Sequence, residues 1–103
     1  MKDKIQEKLI LLGITPNLKG FYYACEAIVL IIKNPAIQHK ITTGIYGSLA
    51  LKNNVAPATV ERCIRHAISK VDKDKKEKLC GTSCPKNSEF LSVFAMKIQK
   101  EEI

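Results

Sequence analysis

Asn54-Val55-Ala56-Pro57-Ala58-Thr59-Val60-Glu61-Arg62-Cys63-Ile64-Arg65-His66-Ala67-Ile68-Ser69-Lys70-Val71 is the stretch whose reading decides the fold. Val60, Cys63, Ile64, Ala67, Ile68 and Val71 fall at i, i+3, i+4, i+7, i+8 and i+11, the spacing of a helix with one apolar stripe turned toward a core. That stripe fixes the opposite face, with Thr59, Arg62, His66 and Lys70 along one edge and Glu61, Arg65 and Ser69 beside them. Pro57 presets the first turn of this helix, predicted over about 57–71. Ala56 is a poor N-cap and leaves a backbone donor to water or phosphate.

Upstream, Ile37, Ile41, Ile45 and Leu49, with Ala50 adjacent, continue a helical pattern that Gly44 or Gly47 interrupts. The pattern predicts a short helix from Pro35 and then a helix over about Thr42 to Asn53. Asn54 tolerates the positive φ of a tight turn, and Val55 is expected to plug the contact between the two helices. Two helices meeting at a short turn, the second presenting Arg, His and Glu outward, have the chemistry of a DNA recognition helix.

The remaining chain also punctuates into helices. Lys2 to Leu12 carries Ile5, Leu9 and Leu12 on one side, and Gly13 closes it as a C′ residue. Ile14 to Gly20 reads as a turn around Pro16 and Gly20. Phe21 to Lys33 is apolar nearly all round and belongs in the middle of the domain. Asp72 to Lys78 is a charged stretch expected to be a solvated helix end or loop. Asn87 or Ser88 is expected to cap a final helix that buries Phe90, Leu91, Phe94 and Ile98. The sum is an all-α, compact five- or six-helix domain containing a helix-turn-helix, a single domain over residues 1–103.

A net charge of +7 favours an anionic partner, nucleic acid ahead of an acidic protein or a membrane surface. The longest apolar run, Ala27 to Ile32, is far below the roughly 20 residues that cross a bilayer. The charged N-terminus has no signal-peptide pattern, so a cytoplasmic protein with no membrane partner is expected. Cys25 and Cys63 lie inside apolar helical patterns, where a thiol acts as a small hydrophobe. Cys80 and Cys84 are spaced for two zinc ligands or a local disulfide. No second Cys/His pair stands nearby, so two thiols in a loop are expected. No nucleophile or carboxylate cluster accompanies His66, so the chain reads as a non-enzyme with neither cofactor nor metal.

Ile41-Thr42-Thr43-Gly44-Ile45-Tyr46, Val60-Glu61-Arg62-Cys63-Ile64-Arg65-His66-Ala67-Ile68 and Asn87-Ser88-Glu89-Phe90 resemble the C-terminal DNA-binding effector domain of the sporulation initiation regulator, stage-zero sporulation protein A. Leu12-Gly13-Ile14-Thr15-Pro16-Asn17-Leu18-Lys19-Gly20-Phe21-Tyr22-Tyr23 is similar to another segment of that family, so the resemblance spans nearly the whole chain. It implies a helix-turn-helix transcription regulator that reads short double-stranded operator boxes of the TGTCGAA type in the major groove, often in tandem. The receiver domain that precedes this domain in the family has no counterpart here. A freestanding paralogue or a piece of a longer chain are the two expectations, with Met1 favouring the first.

The resemblance implies base reading by Glu61 and Arg62, with Arg65 and His66 on phosphates or neighbouring base edges. Arg donates bidentately to guanine O6 and N7, and Glu accepts from cytosine N4. The competing role for Glu61 is an i, i+4 pair with Arg65. Several positions depart from the family. Thr59 stands where the family has Arg, which shortens one contact to a hydroxyl. Val55 and Ala56 replace a Thr-Thr pair, and Asn53 replaces a large apolar residue for which Leu51 is expected to compensate. The segment before Asn87 is shorter than in the family, so its helix is expected to be missing or reduced, and homodimerisation or tandem packing on DNA is put in question. Lys70 is the expected phosphate contact. The alternative function is a protein-binding adaptor that keeps the fold and binds a regulator through Phe21, Tyr22, Tyr23 and the final helix.

Overall fold

The computed structural model describes residues 1–101, with the side chains at 38, 39 and 41–43 outside the description. Six α-helices, and no strand, occur among the described residues: α1 (Lys2–Leu12), α2 (Lys19–Lys33), α3 (Gly47–Asn53), α4 (Pro57–Ile68), α5 (Lys73–Cys80) and α6 (Asn87–Gln99). A 3₁₀ stretch (Pro35–Lys40) and a π-helical stretch (Ile41–Tyr46) join α2 to α3.

Helix α2 is the central post, contacting α1, α3, α4, α6 and both irregular stretches. Its buried residues Phe21, Ala24, Cys25, Ala27, Ile28 and Ile31 lie between those neighbours, as an all-round apolar helix requires. The helix starts two residues earlier than predicted, and Gly20 lies inside it, buried. A Cβ on Gly20 would sit 2.1 Å from the carbonyl oxygen of Cys63 and 2.7 Å from the Cβ of Ala67, so α2 and α4 cross with their backbones nearly touching. Gly20 is therefore a packing residue; the expectation that it marks a turn is corrected.

Two Schellman closures shape the chain reversals. Gly13, at φ 106°, ends α1; the Gly13 amide donates to Ile10 O and the Ile14 amide to Leu9 O, both at 3.0 Å, while Leu9 and Ile14 are fully buried. Asn54, at φ 56°, ends α3; its amide donates to Leu51 O at 3.4 Å and the Val55 amide to Ala50 O at 3.0 Å. Asn54 thus takes the left-handed conformation expected of it.

The first helix of the helix-turn-helix differs from the prediction, because the segment before Gly47 is π-helical and only Gly47–Asn53 is α-helical. Ile45 and Leu49 are buried as the pattern required; the side chains of Ile41 and Thr42, also part of that reading, lie outside the described residues. Leu51 is 86% exposed and so does not compensate for Asn53, whose amide Nδ2 instead donates to Leu49 O at 2.8 Å. Val55 is only partly covered, not a buried plug.

The charged segment after Val71 is helical, contrary to the expected solvated end or loop. Leu79 is buried on the α6 side, Gly81 at φ 78° terminates the helix, and Lys75 Nζ donates to Leu11 O at 3.1 Å. The intervening helix is thus present, eight residues long. Asn87 is the first residue of α6, and the N-cap is Lys86, whose amide donates to the Glu89 carboxylate at 3.1 Å. Phe90, Leu91, Phe94, Ala95 and Ile98 form its buried stripe, with the Phe90 and Phe94 rings stacked at 5.9 Å.

Candidate nucleic-acid interface

Helix α4 buries Val60, Ile64, Ala67 and Ile68, and the burial of these four leaves Arg62, Arg65 and His66 exposed. Thr59 and Glu61 are half-buried at the shoulders of this ridge. The helix ends at Ile68, three residues before the predicted limit. The Lys70 and Val71 amides bond only three residues back, to Ala67 O at 3.1 Å and Ile68 O at 3.0 Å, which tightens the chain out of the α-helix. Lys70 is therefore exposed on a turn beyond the helix, its carbonyl lying 3.1 Å from where a Cβ on Gly13 would be.

The ridge is bounded by two open grooves. On one side Arg62, Cys63 and His66 line a groove of about 390 Å³ with Asn17, Leu18, Lys19 and Gly20 at the start of α2. On the other, Glu61 and Arg65 line a groove of about 400 Å³ with Tyr46 and with Pro85, Lys86, Asn87 and Ser88 at the start of α6. The two edges read from the sequence thus face two different helix starts, and each groove has a lysine, Lys19 or Lys86, on its far wall. Sequence reasoning missed both lysines and the structural part of Asn87. Lys19 sits in the Leu18-Lys19-Gly20 run, which reads as a turn, and Lys86 precedes a motif whose local signal is capping.

Cys63 is half-buried at the edge of the apolar stripe, not within it. The Gly20 backbone occupies the space beside its carbonyl, which leaves the thiol on the groove wall. Cys25 is 1% exposed, as expected of a small hydrophobe. Cys80 is the last residue of α5 and partly buried, which corrects the expectation that both thiols of this pair lie in a loop; Cys84 is exposed, and all four thiols are free. Burial pushes the Cys25 and Cys80 thiols up from their ordinary range. Among the described residues no group of three or more His, Cys, Asp or Glu side chains is placed to hold a metal ion.

Polar contacts tie the Glu61 edge down. Arg65 Nη1 and Glu61 Oε1 stand 3.2 Å apart, the i, i+4 pair weighed against base reading. With Arg65 largely solvated, such a pair contributes only about 0.3–0.5 kcal/mol and exchanges readily for another partner. Asn87 Nδ2 donates to the Glu61 carbonyl at 3.1 Å, and Tyr46 lines the same groove. Burial raises the Tyr46 phenol above its ordinary value, so it stays protonated near neutrality.

At its N-terminus α4 has no side-chain cap: Ala56 is extended, Pro57 has no amide hydrogen, and the Thr59 amide turns back to Ala56 O at 2.9 Å. An uncapped helix start leaves backbone amides at the positive end of the helix dipole, which attracts an anion. Of the aromatic residues proposed for an adaptor surface, Phe21 is 2% exposed and belongs to the core, while Tyr22 is 51% exposed and packs edge-on against it. No helix among the described residues is long and apolar enough to cross a membrane.

A short helix, a left-handed turn and a second helix with an outward basic ridge form a helix-turn-helix. Residues 5–98 match the family described as the sporulation initiation factor Spo0A C terminal, a DNA-binding and not an enzymatic family. With all but nine of its 103 residues inside that match, the chain belongs to the Spo0A C-terminal family of DNA-binding domains in transcription regulation.

Proposed function

We propose that this chain is one DNA-binding domain over 1–103 that reads a short operator box by placing α4 in the major groove. The observation that carries this reading is the solvent-facing ridge of Arg62, Arg65 and His66, with Glu61 on its shoulder and a lysine across the groove on either side. Arg62 is assigned to guanine and Glu61 to cytosine, a good pair being worth about 1–3 kcal/mol of discrimination. Glu61 is released for this by transfer of Arg65 from its carboxylate to a phosphate. His66 and the Thr59 hydroxyl take neighbouring base edges or phosphates, while Lys70 joins the phosphate contacts. In this reading the protein acts in the cytoplasm, on the nucleoid, as a homodimer or as copies side by side on tandem boxes. An operator of the TGTCGAA type is the starting expectation, with Thr59 altering the preference.

Selection of bound duplexes from a random pool tests this reading. Enrichment of one short box is expected. Recovery of unenriched sequence would remove base reading and favour the adaptor alternative, for whose surface Tyr22 on α2 and Met96 on the final helix are exposed.

A further inference from the structure

We infer that Asn87 is a positioning residue for sequence discrimination: it sets the pose of the reading helix without itself touching DNA. The inference rests on the assignment of α4 as that helix. The Asn87 side chain joins two elements far apart in sequence: α6, on which it stands, and α4, to whose Glu61 carbonyl it donates at 3.1 Å. Only the amide nitrogen of Asn87 has hydrogens to give a carbonyl, so its orientation is dictated.

The Glu61 carbonyl faces the amide of Arg65 in the helical ladder, and its second lone pair takes Asn87. The bond therefore lies on the turn that carries Glu61, Arg62 and Arg65, and a rotation of that turn shifts all three side chains together. The opposite edge of α4 is held by the Gly20 contact with Cys63 and Ala67. One edge is thus fixed by backbone contact and the other by a side-chain bridge, and only the second is removable without a steric clash. Non-specific binding, governed by charge near phosphate, is insensitive to such a rotation, whereas bidentate base contacts are steeply sensitive to it.

The test compares the wild-type protein with Asn87→Ala, using the duplex recovered by selection and a scrambled duplex of the same length. Asn87→Ala is expected to lower the box-to-scrambled affinity ratio about five- to tenfold, the size of one lost hydrogen bond, with affinity for scrambled DNA nearly unchanged. In the free protein, hydrogen exchange at the amides of Glu61 to His66 is expected to speed up in Asn87→Ala several-fold more than at those of α2. Unchanged exchange in α4, or equal losses on both duplexes by a variant of a discriminating wild type, would overturn this inference alone. A wild type that prefers no sequence would overturn the DNA reading and the inference with it.

Discussion

Gly20 and Cys63 are in backbone contact across the α2–α4 crossing: a Cβ on Gly20 would lie 2.1 Å from the Cys63 carbonyl oxygen. Inside a helix Gly→Ala ordinarily stabilises by up to about 1 kcal/mol, but here the obstacle is backbone and does not swing aside. Gly20→Ala is therefore expected to destabilise the domain by about 1–3 kcal/mol, read by urea denaturation. Unchanged or raised stability would mean that the two helices are not this close.

The groove-wall lysines are expected to act on DNA without reading it. Lys19→Ala and Lys86→Ala should each weaken binding to specific and scrambled duplexes alike and flatten the salt dependence by about one counterion. Lys70→Ala should do the same to a smaller degree, since Lys70 stands on the turn beyond α4. Titrations at several salt concentrations check this; a loss confined to the specific duplex would instead make the residue a base reader.

Alkaline pH should destabilise the fold through two buried acids. Burial raises the Cys25 thiol and the Tyr46 phenol above their ordinary values, so both favour the neutral form when folded. A group with a raised folded pKa contributes stability that is fully present below its unfolded pKa and is lost as pH rises through the folded one. The melting temperature should accordingly fall above about pH 9. Cys25→Ala and Tyr46→Phe should each remove part of that fall, and an unaltered profile in both variants would contradict the burial.

Thiol reactivity should follow exposure. Cys84 is expected to react first with a maleimide, Cys63 and Cys80 more slowly, and Cys25 only on unfolding. Occupation of the groove beside Arg62 by DNA should slow Cys63 in particular, which mass spectrometry of the labelled peptides resolves. Equal rates for Cys25 and Cys84 would refute the placement of α2 at the centre.

Much of the fold is legible in the sequence because burial within one helix writes a periodic stripe: α1, α4 and α6 announce themselves by Ile5 and Leu9, Val60 and Ile64, Phe90 and Phe94. Gly13 and Asn54 mark their turns because few residues suit a left-handed φ. Helix α5 was hidden because one buried residue, Leu79, makes no period, though Asp72 and Gly81 bracket it. Gly20 looks like a turn signal until α4 is brought against it. The outward residues of the candidate interface were readable from the buried stripe, as its complement. Lys19, Lys86 and Asn87 were not, because they reach the ridge from helix starts about 40 residues before it and 25 after it, a proximity that no local spacing encodes.

The most direct measurement of the central claim is the affinity of Arg62→Ala for the selected box and for a scrambled duplex under one salt condition. The account predicts a loss of about 1–3 kcal/mol on the box with scrambled binding nearly intact. Equal losses on both duplexes would show that Arg62 supplies charge alone and that the outward ridge of α4 does not distinguish bases.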